Sequence, residues 1–199
     1  MQETHADGIK CEGCGETVPP YDIVHYGSID QRYRKLCSQC FNAAVAETSG
    51  VDGFENFRLE PIEMLDCAGV SHQFHFRTHL LGNIVSLEAF ELKESNPAGY
   101  QFQQIGDPEE DMFGLLGRLI KKIRSALSIK HIKEIHGHGL QIADDTVRGR
   151  IESNDSDFDR DPVIVVDGQE ISWEDFGRML MSFEGWQFKL EIFDRSDEV

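Results

Sequence analysis

The 199-residue sequence predicts an α+β fold in which a small N-terminal metal-binding module precedes an antiparallel sheet packed with two helices. Three observations predict it. Two Cys-x-x-Cys pairs stand within the first forty residues, later segments alternate apolar and polar residues as strands do, and two stretches repeat apolar residues with helical spacing. Because 40% of the residues are hydrophobic, the chain can bury a core, which excludes a wholly disordered protein.

Composition and charge narrow the classes of function. The chain carries 36 acidic and 19 basic residues, a formal net charge of -17. Phosphate backbones and anionic lipids repel such a chain, so we expect neither nucleic acid nor a membrane as a partner. No apolar run approaches the roughly 20 residues of a membrane span. The first seven residues lack the basic and apolar regions of a signal peptide, so we expect a cytoplasmic protein with reduced thiols.

Four of the five cysteines have the spacing of metal ligands. They form two Cys-x-x-Cys pairs with 22 residues between the pairs: Cys11, Cys14, Cys37 and Cys40. A two-residue gap lets both thiolates of a pair bind one ion, and two pairs complete a tetrahedral shell without an open position. In a reducing compartment this pattern predicts one structural Zn²⁺ per chain. The alternatives are a coincidence of two pairs or a redox Cys-x-x-Cys motif.

Residues beside the pairs agree with a metal site. Gly15 follows the first pair, where a positive φ turns backbone N–H groups toward sulfur. Four thiolates on Zn²⁺ leave a formal charge of roughly -2. Four flanking cations can offset it: Lys10, Arg32, Arg34 and Lys35.

The order of elements indicates how the module folds. Residues 21–34 predict a β-hairpin that turns near Gly27 and Ser28, and residues 37–48 predict a helix that carries the last two ligands. Knuckle, hairpin and helix together resemble a treble-clef zinc finger over residues 8–48, with a zinc ribbon as the next resemblance. The resemblance implies metal binding and no particular activity. The helix has no Arg or Lys to contact DNA, and we expect its apolar stripe to pack on the hairpin or on the next domain.

A polar, glycine-bearing linker at residues 47–53 predicts a module of residues 1–50 and an α+β domain of residues 54–194. The domain begins with an antiparallel meander, for which the alternation predicts three strands: residues 70–78, 84–92 and 100–105. A helix follows, with Asp107 as its N-cap and apolar residues at helical spacing as far as Leu127.

The last third of the chain predicts further hairpins and a second helix. A hairpin is expected over residues 140–152, with its turn at Asp144 and Asp145, and a buried strand at 163–166 leads into a second hairpin turn. Ser172 caps the second helix. Its predicted buried stripe consists of Phe176, Met179, Leu180 and Phe183. The alternation after residue 185 predicts a half-buried final strand, with Trp186, Phe188, Leu190 and Ile192 on its inner face.

One stretch of this region has the form of a family signature. The residues from Val166 to Trp186 read Val-Asp-Gly, Ser-Trp-Glu, Phe-Gly-Arg-Met-Leu and Glu-Gly-Trp in that order. This stretch resembles a family of uncharacterised bacterial α+β domains. The resemblance implies no chemistry and names no substrate.

Histidines provide the candidate sites outside the module. His136 and His138 are two residues apart, so in a strand both imidazoles point to one side, where Asp144 or Asp145 across the hairpin can complete a metal site. The alternative is a glycine-rich turn with solvated histidines. His75 and His79 lie on the polar face of the first strand of the meander, which is either a site for an anion or a solvated surface.

Other reactive or acidic groups predict no site. His72 falls on the apolar face and is expected to be a core histidine, and Cys67 is expected to be a small buried side chain. Residues 155–161 resemble a calcium loop but have Arg160 where that loop needs glycine, so we expect an acidic loop.

These observations favour a non-catalytic intracellular protein that binds structural zinc and acts through protein–protein contacts. They predict no catalytic residue and no organic cofactor, because no nucleophile triad, P-loop or dinucleotide fingerprint is present in the sequence. One alternative is a metal-dependent hydrolase that uses His136 and His138. Another is a nucleic-acid-binding regulator that uses the basic stretch at residues 118–133. The sequence predicts neither the identity of the partner nor the oligomeric state.

Overall fold

A computed structural model describes residues 8–28, 31–56, 58–154 and 161–197. Within these ranges the chain is an α+β protein with three α-helices and thirteen strands, and all strand pairs are antiparallel. The predicted α+β class is confirmed. None of the helices in this described part is both long and apolar enough to cross a bilayer.

The N-terminal module contains two small hairpins and a helix. Strands β1 (Ile9–Lys10) and β2 (Thr17–Val18) pair around the first two cysteines. After a short 3-10 helix, β3 (Ile23–Ser28) pairs with β4 (Gln31–Cys37), and α1 (Ser38–Ser49) follows directly. The predicted hairpin and helix are confirmed. The turn predicted at residues 27–28 is wrong, because both residues belong to β3.

The central sheet has four strands in the order β5-β6-β7-β8. They are β5 (Ile62–Leu65), β6 (Ser71–Leu80), β7 (Val85–Lys93) and β8 (Asn96–Gly106). The three-strand meander is confirmed, and the structure adds β5. β8 begins four residues earlier than predicted because the chain reverses at Glu94 and Ser95, whose φ angles are 51° and 67°.

Helix α2 (Met112–Leu127) packs on β7 and β8. Its N-cap is Asp111, which accepts hydrogen bonds from the backbone of Phe113 and Gly114, so the prediction of Asp107 as the N-cap is wrong. Asp107 instead closes a turn before the helix, accepting from the backbone of Glu110. The predicted apolar stripe is confirmed, and its buried members are Met112, Leu115, Leu119, Ile123 and Leu127.

The C-terminal region contains two further sheets. β9 (Ile132–Ile135) pairs with β10 (Gly139–Ile142), and a three-stranded sheet follows in the order β11-β12-β13. Its strands are β11 (Arg150–Glu152), β12 (Val163–Val166) and β13 (Gln169–Ser172). The hairpin predicted over residues 140–152 is wrong. Gly137 and Gly139, both with positive φ, reverse the chain earlier, so β10 pairs with the preceding strand β9.

Helix α3 (Trp173–Leu180) and a 3-10 turn (Met181–Phe183) end the regular structure. The capping by Ser172 is confirmed, since its hydroxyl accepts from the backbone of Asp175. Leu180 is exposed, contrary to the prediction. The final strand is also wrong: residues 186–193 form no helix, turn or strand, and they are exposed and outside every described sheet. Alternation predicts a strand conformation but does not supply a neighbouring strand.

Candidate metal centre

Three elements of the N-terminal module bring the four predicted cysteines together. Cys11 and Cys14 lie in the loop between β1 and β2, Cys37 ends β4 and is the N-cap of α1, and Cys40 lies in the first turn of α1. Their four sulfur atoms all lie within 4.8 Å of one another. Across the described ranges, no other group of three or more histidine, cysteine or acidic side chains has this arrangement. The cluster can therefore hold a metal ion.

Backbone groups stabilise the sulfur of Cys11 as a thiolate. The backbone N–H groups of Gly13 and Cys37 donate to it over 3.3 Å and 3.2 Å. Burial alone would raise the pKa of this thiol, but the hydrogen bonds from Cys37, Cys14 and Gly13 together lower the pKa to about 6. Gly15 has the predicted positive φ, 81°, but its N–H donates to the Cys11 carbonyl and not to sulfur. The hydrogen bonds to sulfur therefore favour the thiolate form of Cys11.

The other pair retains its protons more strongly. Burial, and then the neighbouring thiols, raise the pKa of Cys40 to about 12, and burial raises the pKa of Cys37 as well. Adjacent negative sulfurs repel one another, so these thiols ionise only when a cation compensates for the charge. A bound cation would therefore favour the ionised forms of Cys37 and Cys40.

Cations surround the first knuckle as predicted. Lys10, Arg32 and Arg34 line an open depression beside Cys11 and Cys14. Glu12 holds two of the neighbouring residues in place, because its carboxylate accepts from Arg32 and its carbonyl from Arg34, over 3.4 Å and 3.2 Å. This basic rim can offset the negative charge of a thiolate cluster.

Helix α1 joins the module to the central sheet. Phe41 is buried in the module's core, and Val45 contacts both this core and that of the sheet, which confirms the predicted stripe. Asn42 is buried between them: its side-chain amide donates to Thr78 O over 2.9 Å and accepts from Leu80 N over 2.8 Å. The inner face of the helix is therefore covered by protein.

His75 and His79 lie beneath this module, so the prediction that they share an open face of the sheet is wrong. His75 Nδ1 is 3.3 Å from the hydroxyl of Tyr21, and His79 Nε2 is 3.4 Å from that of Ser38. Burial lowers the pKa of both histidines, and for His79 nearby Arg77 lowers it further. Alternation identified the shared face correctly but could not show which element covers it.

His136 and His138 flank the turn between β9 and β10 and are exposed. Both predicted partners, Asp144 and Asp145, follow β10 instead of facing it across a hairpin. Among the described residues, neither histidine belongs to a group of three potential ligands. The acidic-loop prediction at residues 155–161 falls mainly outside the described residues. Cys67 is exposed, so its predicted burial is wrong.

The basic stretch at residues 118–133 is engaged within the chain at several positions. Arg118 pairs with Glu110, and Lys122 Nζ donates to the carbonyls of Gln103, Ser196 and Asp197. Lys133 donates to Ala143 O over 3.0 Å. These contacts use the cations to join α2 and β9 to neighbouring segments.

The structure contains a buried polar network around Asp66 that the sequence does not predict. Asp66 accepts from Lys130 Nζ over 2.7 Å and lies 3.3 Å from His72 Nε2, while His72 Nδ1 lies 2.8 Å from Glu91 Oε1. The pKa of Asp66 is held well below its usual range. The hydrogen bond from Lys130 contributes most, and the hydrogen bonds from backbone N–H groups and from His72 lower the pKa further. Burial raises the pKa of the neighbouring Tyr100 to about 12. The predicted core position of His72 is confirmed, but its partners are distant in sequence.

Comparison with protein families divides the chain into three matched segments. Residues 10–52 match a domain of unknown function (DUF7685), residues 55–128 match another (DUF7686), and residues 131–197 match a third (DUF7713). No curated protein and no solved structure matches the chain. The first segment contains the four cysteines, and the second contains the central sheet and α2. The division into residues 1–50 and 54–194 stays a prediction.

Proposed function

We propose that this protein binds one structural zinc ion through Cys11, Cys14, Cys37 and Cys40 and acts through contacts with other proteins. The observation that carries the proposal is the convergence of four cysteine sulfurs within 4.8 Å. A tetrahedral Zn²⁺ site with Zn–S bonds of about 2.3 Å separates its sulfurs by about 3.8 Å. The distance between Cys14 Sγ and Cys37 Sγ is 3.9 Å, close to that value.

The ligand set favours a structural role over a catalytic one. Four thiolates fill a tetrahedral shell, whereas catalytic zinc keeps a position for water or substrate. The elements that carry the ligands support a treble-clef arrangement, with a knuckle between two short strands, a hairpin, and a helix whose first turn supplies the last thiolate. Reduced thiols are needed for this site, so we place the protein in the cytoplasm.

Metal content tests the zinc site directly. Protein purified under reducing conditions should contain one zinc per chain by plasma mass spectrometry, and cobalt substitution should give the absorption of tetrahedral thiolate coordination. Cys14→Ser and Cys40→Ser should each lose the metal. Cys67→Ser is the matched control, because Cys67 is exposed and lies outside the cluster. Metal-free protein, or equal metal loss in the control, would show that the site is not zinc-binding.

The alternatives make different predictions in the same preparation. A hydrolase that uses His136 and His138 requires a second metal ion that the double alanine variant loses, and one zinc unaffected by that variant would exclude it. A nucleic-acid-binding protein should shift an RNA or DNA probe at low salt and release it steeply as salt rises. We expect one zinc and no shift.

A further inference from the structure

A segment near the C-terminus, outside every described helix and strand, exposes its apolar side chains to solvent. The exposed fractions are 69% for Trp186, 91% for Phe188, 73% for Leu190 and 74% for Ile192. These residues alternate with polar ones, so the segment has the pattern of a strand that buries one face. Within the described ranges, however, residues 187–193 form no hydrogen-bonded ladder with any strand. The segment therefore has the form of a strand without a neighbour.

Both ends of this segment are held against the protein. At its start, Trp186 N donates to Phe183 O over 2.9 Å, and the two rings meet edge to face at 5.6 Å. At its end, the carbonyls of Ser196 and Asp197 accept from Lys122 on α2. Contacts at both ends limit the conformational freedom that the segment loses on binding, which favours pairing with another strand.

We propose that the segment pairs with the same segment of a second copy of this chain, as two antiparallel strands related by a two-fold axis at Leu190. Directly opposite residues in an antiparallel pair lie on the same face. With the axis at Leu190, Lys189 of each copy lies opposite Glu191 of the other, and Phe188 lies opposite Ile192. Moving the axis to either neighbouring polar residue would place lysine opposite lysine or glutamate opposite glutamate, which destabilises a sheet.

The polar and apolar faces both support this pairing. Lys189 Nζ and Glu191 Oε1 lie 2.5 Å apart in one copy, so their side chains already share one side of the segment. On the other side, two strands bring six apolar side chains together around the axis. Leu180 and Met181, a few residues before Trp186 in the sequence, are also exposed apolar side chains. A two-stranded ribbon alone is marginal in water, so we expect the ribbon's apolar face to pack on these side chains.

Sedimentation of the full-length, metal-loaded chain tests the proposal. Between about 1 and 100 µM, a range typical of moderate self-association, the chain should convert from monomer to dimer. Leu190→Asp places two carboxylates at the axis and should abolish the dimer. The matched control is Leu81→Asp, which puts the same charge at an exposed leucine in the loop between β6 and β7 and should leave the dimer unchanged.

Charge exchange tests the register. Lys189→Glu and Glu191→Lys each set like charges opposite one another at two places, so each should weaken self-association about tenfold. A mixture of the two variants restores both opposite-charge pairs and should dimerise like the unmodified chain. This inference does not depend on the metal centre, since all variants keep the four cysteines.

Three results would overturn the proposal. The first is a chain that stays monomeric at the highest concentration. Binding of this monomer to phosphatidylcholine vesicles or to another protein would count equally against the proposal. The second is a dimer that Leu190→Asp leaves intact. The third is a mixture of the two charge variants that associates no better than either variant alone.

Discussion

Replacing Asn42 by alanine should weaken the contact between the N-terminal module and the central sheet. β5 pairs with β6 only as far as Phe74, so the outer backbone groups of Thr78 and Leu80 have no strand beside them. The amide of Asn42 takes the place of that strand, donating to Thr78 O and accepting from Leu80 N. A third hydrogen bond joins Asn42 to Asn56 over 3.1 Å.

The magnitude follows from these three bonds. Each neutral hydrogen bond contributes about 1 kcal/mol net, and a buried donor left without an acceptor costs about 1 to 3 kcal/mol. Leu80 is fully buried, so no water replaces the lost acceptor. We therefore expect Asn42→Ala to lower the free energy of unfolding by about 3 kcal/mol. For a chain of this size that corresponds to a Tm lower by roughly 6 to 12 °C.

Urea denaturation and calorimetry measure this loss. Asn96→Ala is the matched control, because Asn96 makes one exposed hydrogen bond of 3.3 Å to Glu94 and should change stability by less than about 0.5 kcal/mol. Zinc content is measured in both variants, so that loss of metal is not counted as loss of the helix–sheet contact. If Asn42→Ala retained its metal and lost less than about 1 kcal/mol, the bridging role of this amide would be refuted.

Three further predictions concern the metal centre, α2 and pH. A Cβ at Gly13 would lie 2.8 Å from Cys40 Sγ, so Gly13→Ala should weaken metal binding by about tenfold or more. Competition with a chromophoric chelator measures this affinity, and an unchanged affinity would contradict the geometry. A Cβ at Gly117 would meet nothing within 4 Å, so Gly117→Ala should raise helix stability by about 1 kcal/mol in thermal melts, and a lower Tm would contradict this. Burial lowers the pKa of His75 and His79, so the unfolded chain binds protons more readily. Their contribution to the free energy of unfolding should be fully present above about pH 6.5 and decrease as the pH falls below it. The decrease should be shallower in the variant with both histidines replaced by glutamine, and equal pH profiles would contradict this.

Local patterns explain the features that the sequence predicted correctly. The ligand spacing of Cys11 and Cys14 depends on two intervening residues, and the cap of α3 depends on Ser172 and the three residues after it. The meander was predictable because its turns join adjacent strands. In each case the determining atoms lie within a few residues of one another, so the pattern contains the necessary information.

Pairings between distant segments explain the errors. Strand β10 has the same alternation whether it pairs with β9 or with β11, and only the turn at residues 136–138 decides between them. Asn42 reads as an ordinary surface residue of a helix, and its burial arises because β5 ends before Thr78. The segment at 186–193 is a further example, since the alternation of apolar and polar residues in a strand does not determine which strand it pairs with.

The metal centre and the central sheet are coupled through the first turn of α1. Cys37 is the last residue of β4 and the N-cap of α1, Cys40 lies one turn on, and Asn42 follows two residues later. An ion bound as proposed would fix the start of this helix, and the start of the helix positions the amide that pairs with Thr78 and Leu80. The free energy of metal binding would therefore stabilise the edge of β6 as well as the knuckle. An independent zinc finger on a flexible linker would lack this coupling, because none of its ligands would belong to an element packed on the next domain.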